Sequence, residues 1–343
     1  MGRRSAEKTR PRGADDGDVR RVAERLDAYQ RGRPWLGFPI AVGRKFSDDQ
    51  GAQLAALVTY YGFLSLFPLL LLFRAVLGYV LQGREDLQKS ILDSALARFP
   101  VIGDEIVRSQ GRLHGSGLAL AVGIVGALWA GLGVTQALQN AMDRIWGVPR
   151  RARPGPLAGR LRGLLLLFVL GLAAVVAAGL GTLTSSSGLI GPGLRVATTA
   201  GSLAVSLGLF IAAFRVLTAR TLGWRDVFPG AVVAAVGWEA LLALGGWLVS
   251  HELQGASATY GAFAIVIGLL SWIYLSTLVV ISAAEVNAVG GLRLWPRSLR
   301  EPLTPADRRA LQISAQTEAL EAGEAIHVTF DGDSSKDADE RTP

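Results

Sequence analysis

The chain reads as an all-α polytopic membrane protein, a six-helix bundle with both termini in the cytoplasm. Three observations predict it. Only 18% of its 343 residues are charged while half are apolar, against about 25% charged in soluble domains. The charges are absent from long stretches rather than thinned evenly. The basic residues that remain alternate from loop to loop.

Residues 51–73, 113–142, 163–194, 196–214 and 253–284 contain no Asp, Glu, Lys or Arg, and 227–250 contains only Glu239. At 1.5 Å per residue, about 20 helical residues cross a hydrocarbon core of roughly 30 Å. The 163–194 run exceeds one crossing, but Ser185-Ser186-Ser187-Gly188 and Gly191-Pro192-Gly193 punctuate it. The predicted spans are therefore 52–74, 117–141, 163–184, 196–215, 227–250 and 260–287. Together they make a membrane domain over 47–290, between a basic cytoplasmic segment (1–46) and a cytoplasmic tail (291–343).

Orientation follows from Lys and Arg. Twelve precede the first span, six lie in 143–162, three in 215–226 and seven from 291 onward, while the alternate loops hold five, one and none. Basic residues stay on the cytoplasmic side, which places both termini there; an even number of spans agrees, since it puts both termini on one side.

The connecting segments are read in order. Val19 to Tyr29 is a short amphipathic stretch with Val22, Leu26 and Tyr29 on one face. Its arginines suit contact with anionic lipid headgroups, and a solvated juxtamembrane segment with no specific role accounts for it equally. Ser47-Asp48-Asp49-Gln50 has the form of a capping box and predicts the start of the first spanning helix there. The 83–114 loop carries Leu87, Ile91, Leu92, Leu96 and Phe99 at near-helical spacing, predicting a helix on the outer surface that covers the membrane domain or, alternatively, forms a lid over a cavity. In the tail, Thr304-Pro305-Ala306-Asp307 predicts a helix start with Pro at the first helical position and a pattern fading at Gly323. The last dozen residues are polar and acidic and read as disordered.

Chemistry-bearing groups are sparse. Cys is absent, and the three histidines, His114, His251 and His327, have no metal-ligand spacing. No phosphate-binding glycine loop or nucleophile elbow occurs, so the chain reads as a non-enzyme without cofactor or metal and without a nucleic-acid partner. Glu239 lies mid-span in Gly237-Trp238-Glu239, where an ionisable group costs a few kcal/mol and faces the bundle interior or water. Either a proton- or cation-linked site or a packing strut accounts for it. Glu285 lies near the cytoplasmic end of the last span, where an interfacial acid bonded to a helix end or a loop Arg is the simpler reading. Small residues at helix spacing, Gly123, Ala127 and Gly131 or Ala173, Ala177 and Gly181, suit close helix packing, with homo-oligomerisation as the alternative use.

Two segments carry a resemblance. One is Leu54-Ala55-Ala56-Leu57-Val58-Thr59-Tyr60-Tyr61-Gly62-Phe63-Leu64-Ser65-Leu66-Phe67-Pro68-Leu69. The other runs from Trp224-Arg225-Asp226-Val227-Phe228-Pro229-Gly230-Ala231 through Trp238-Glu239, Tyr260-Gly261-Ala262 and Trp272-Ile273-Tyr274-Leu275-Ser276 to Ala284-Glu285-Val286-Asn287-Ala288. In order and spacing the chain resembles the YihY/BrkB family of bacterial inner-membrane proteins over residues 45–290. The resemblance implies six helices in the inner membrane and an activity not established; some members carry a ribonuclease label that the His and Cys content here does not support. A site shared with such a family would comprise Tyr60, Tyr61, Ser65 and Pro68 on the first span, Glu239 on the fifth, and Tyr260, Gly261, Tyr274 and Glu285 on the sixth. Pro68 would free a backbone carbonyl and kink its helix. The expectation is transport of a small solute, ion or lipid with Glu239 as coupling acid; the alternative is a membrane scaffold.

Overall fold

A computed structural model describes residues 29–30, 32–80, 117–169, 192–251, 253–298, 302–321, 324, 326 and 328–330. The amphipathic stretch ending at Tyr29, the 83–114 loop, the second half of the third predicted span and the acidic end of the tail lie almost wholly outside them.

All the described regular structure is helical. Helix α1 is Pro34–Asp48, α2 Gly51–Val80 and α3 Gly117–Ile145. Residues 156–169 form α4. Then come α5 Pro192–Leu217, α6 Trp224–His251, α7 Leu253–Gly291 and α8 Pro305–Thr317. Stretches of two of these helices, Trp224–Gly245 and Val266–Gly291, are long and apolar enough to cross a membrane, and shorter apolar helices occupy Gly51–Leu66 and Leu203–Leu217. Helix α2 packs on α3 and α7, α6 on α5 and α7, and α1 on α7.

The start of α2 corrects one expectation. Ser47 does not cap it, because α1 continues through Asp48 and the chain breaks at Gln50, whose φ of 58° is left-handed. The Phe46 ring folds over Gly51, where any Cβ would sit 2.4 Å from Cδ2. That close approach turns the chain sharply between two helices. The acids of the supposed box are used elsewhere, on Arg297 and Lys45. By contrast, Thr304 does cap α8: its side chain accepts from the Asp307 N–H while Asp307 reaches back, with Pro305 in the first turn.

Small residues set the tightest crossings. A Cβ at Gly230 of α6 would lie 2.1 Å from the Ala283 carbonyl oxygen of α7, so only hydrogen fits. Asn287 then accepts from the Gly230 N–H at 2.6 Å. Gly147 ends α3 with a φ of 63°, and the Val148 N–H bonds the Asp143 carbonyl at 2.8 Å, a left-handed helix stop. The space a side chain would fill there holds Ile313 of α8.

Four basic segments, before α2, after α3, between α5 and α6, and after α7, meet at one end of the bundle. Asp143 accepts from the Ala219 N–H at 2.7 Å, Trp146 packs on Gly291, Arg150 pairs with Glu318 at 2.9 Å, and Arg297 bonds Asp48 at 2.8 Å. The buried core gathers at this basic end, with Met142, Ile145, Trp146, Phe214, Leu222, Val227, Ala284 and Ala288 among its members.

Candidate functional site

Helical geometry places a second, polar core beside the apolar one. On α1, Gly37, Ala41 and Lys45 fall on one buried row at i, i+4 spacing. The row faces α7 and the segment after it, so Lys45 enters the protein and is only 5% exposed. Its ammonium donates to Asp49 one turn later and lies 3.5 Å from Oε2 of Glu285. Glu285, near the end of α7, is fully buried, and neither of its oxygens accepts a hydrogen bond. Burial pushes the Asp49 carboxyl up, against the opposing pull of Lys45.

A second group interlocks with the first. Arg297 follows α7 and is 4% exposed; its Nε donates to Asp307 at 2.6 Å and its Nη2 to Asp48 at 2.8 Å. The other Asp307 oxygen receives the backbone N–H groups of Ser298 (2.8 Å) and Thr304 (2.9 Å) and the hydroxyls of both residues. Burial alone would raise this carboxyl, but those hydrogen bonds outweigh it and hold it well below the usual carboxylate range. Gln30 ties the same segment down by donating to the Arg297 carbonyl at 2.9 Å. Lys45, Asp48, Asp49, Arg144, Arg297 and residues of α8 line a cleft of about 250 Å³.

The residues expected to form one site fall into separate places. Tyr60 and Tyr61 are 57% and 37% exposed, with their rings edge to face at 5.4 Å. Tyr61 and Pro68 lean on α3, against Gly133 and Gly126. Ser65 donates to the Gly62 carbonyl of its own helix at 2.7 Å. Tyr274 is half-buried against the apolar core. Tyr260 and Gly261 lie in the early turns of α7, and their side chains are outside the described residues.

Glu239 is half-buried and continues the buried i+4 row Val227, Ala231, Ala235. The α6–α7 contacts Gly230–Asn287 and Gly237–Val279 set it level with Thr277, roughly 12 Å along α7 from Glu285. Of the expected set, Glu285 alone belongs to the charge cluster. Lys45, Asp48, Asp49, Arg297 and Asp307 were not anticipated as its partners. One signal was present: Lys45 is one of 4 lysines beside 31 arginines. Among the described residues, no group of three His, Asp or Glu could hold a metal ion.

Outside the basic end the helices present large apolar side chains. Val125 is 69% exposed, Trp129 81%, Val236 54% and Leu244 61%. Apolar side chains this large and this exposed are few in number on a monomer in water, whereas lipid favours them. Fold and surface together define a helical membrane protein.

Residues 42–304 match the family described as virulence factor BrkB, and the chain belongs to that family. It is 26% identical over 256 residues to a Bacillus subtilis protein named ribonuclease-like YfkH, an alignment covering 71% of this chain and 92% of the relative. An uncharacterised protein of Dickeya dadantii is 30% identical over 266 residues, 71% of this chain and 80% of its own. A UPF0761 membrane protein of Photobacterium profundum is 24% identical over 303 residues, 84% and 92%. No solved structure matches the chain.

Proposed function

We propose that this membrane protein translocates a small solute, ion or lipid across the bacterial inner membrane, as a six-span bundle whose basic end faces the cytoplasm. The observation that carries the reading is Glu285: a carboxylate fully buried on an apolar helix and facing Lys45, which itself lines a charged cleft. Buried ionisable groups in membrane helices are expensive, and they mark ion and substrate pathways. In this reading Glu285 and Lys45 form the gate at the cytoplasmic end, and Glu239 is a second acid deeper along the path. The lipid bilayer is the natural partner, with anionic headgroups meeting the basic N-terminal segment, and no catalysis is ascribed to the chain.

Reconstitution into liposomes tests it. Proton flux reported by a pH-sensitive dye, and flip of a headgroup-labelled lipid, should exceed protein-free controls. Glu285→Gln and Glu239→Gln should each lower the active flux about tenfold or more. Wild-type vesicles that leak nothing above controls with ion, solute and lipid probes would remove the reading.

A membrane scaffold is the second reading. It draws on Leu311 and Leu320, which point outward from the tail at 44% and 64% exposure. Leu311→Glu with Leu320→Glu should then abolish function in cells while leaving the purified protein folded. Deleting the tail cannot separate the readings, because Asp307 and Thr304 are part of the folded body.

A further inference from the structure

At the basic end, four cations face five carboxylates, and one of each, Arg150 and Glu318, pair with each other at 2.9 Å on the exposed side. Lys45, Arg144 and Arg297 stand against Asp48, Asp49, Glu285 and Asp307. Arg297 is committed to Asp48 and Asp307 at 2.8 and 2.6 Å. Asp307 is fixed as an anion by its ring of donors. Arg144, half-buried on the last turn of α3, lines the cleft and attracts Asp49. The Lys45 ammonium therefore stands between two acids, Asp49, to which it donates, and Glu285, 3.5 Å away and without a hydrogen bond to either oxygen.

Among the described residues, the other elements packed here bring no further cation to Asp49 and Glu285. Helix α2 offers Tyr60 and Tyr61 in its first turns; its other titratable residues, Arg74 and Tyr79, follow about four turns or more farther along. From α6, Asp226 approaches Gly291, beyond Glu285, and adds negative charge. Arg44, next along α1, lies about 100° round the helix from Lys45. An uncompensated carboxylate in a dry interior is neutralised most cheaply by taking up a proton.

We infer that the Asp49–Glu285 carboxyl pair binds one exchangeable proton across the Lys45 ammonium, making this cluster a proton-binding site. Loss of that proton leaves two carboxylates on the one ammonium in contact with them, with Arg144 acting on Asp49 only from a distance, and weakens the hold of the α1–α2 turn on the end of α7. The proton's use as the coupling ion rests on the translocation reading. Its binding does not.

Infrared spectra of the full-length protein in phosphatidylcholine vesicles, titrated from about pH 5 to pH 9, test the site without any substrate. The wild type should show a protonated-carboxyl band that fades as pH rises. Both Glu285→Gln and Asp49→Asn should remove that component, because each leaves one carboxylate for the one ammonium. Lys45→Met should keep it and move its disappearance to higher pH. A wild type with no titrating carboxyl band overturns the site, whatever the variants do. Loss of the band in one neutral variant but not the other also overturns it, because the proton then belongs to a single buried acid. A titrating band in protein that passes no probe across vesicles supports the proton site and removes the translocation reading.

Discussion

The basic end of the described bundle and the helices beyond it are held together in different ways. At the basic end, side chains reach across the chain: Lys45 to Glu285, Asp48 to Arg297, Asp143 to Ala219, Asn287 to Gly230. Farther into the helices, hydroxyls fold back on their own backbones. Thr59 bonds the Ala55 carbonyl, Ser65 that of Gly62, and Thr277 that of Ile273. There the contacts between helices are apolar and set by small residues. The difference teaches where register is specified. A buried cross-chain polar contact has one satisfactory partner, whereas apolar faces in lipid slide at little cost.

The largest effect should come from breaking the crossing that both regions share. Gly230→Val drives a side chain into the Ala283 carbonyl and the Asn287 amide. Overpacking costs about 1–3 kcal/mol where neighbours relax, and backbone cannot relax so far. Little folded protein should survive detergent extraction and size-exclusion chromatography. Gly43→Ala, with open space around it, is the control and should be neutral or slightly stabilising.

Next is Arg297→Met, which strands the buried Asp307 carboxylate and frees the half-exposed Asp48. Removing one partner of a buried pair costs about 3–5 kcal/mol, read as a clear drop in thermal midpoint. The exposed pair Arg150–Glu318 is the contrast within the same end, more than half exposed on both sides. Glu318→Gln should cost less than about 1 kcal/mol.

Acid should then separate the two regions. Asp307 is held below its ordinary value of 3.8. A depressed acid contributes stability that is complete above the unfolded value and is lost as pH falls through the folded one. The basic end should therefore loosen below about pH 4, with amide exchange in α8 rising first. Asp307→Asn should be less stable at neutral pH and should flatten this acid dependence. A variant that still loosens over the same range would assign the effect to other carboxylates.

The smallest effect belongs deeper in the bundle. Ser65→Ala removes a hydroxyl that bonds only its own helix, so stability should stay within about 0.5 kcal/mol. A larger loss would show that the hydroxyl has a partner across the bundle, and would narrow the contrast between the regions.

Much of this protein was legible along the chain. Charge-free runs announced the helices, because length and hydropathy are local properties, and Thr304 with Asp307 announced the α8 cap. The order of tyrosine, glycine and acid motifs announced the family. The same local logic misread Ser47-Asp48-Asp49-Gln50, since a capping box and a helix–turn–helix corner use the same residue types. Only Phe46 folding over Gly51 distinguished them.

What the tertiary structure alone decided is which charges meet. Lys45 and Glu285 are 240 positions apart, and Asp48 and Arg297 are 249 apart. No periodicity links such pairs. Their encounter depends on α1 packing against α7 and on the chain after α7 returning over α1. Sequence fixes a residue's propensity through its neighbours in the chain, but an ion pair is decided by neighbours in space.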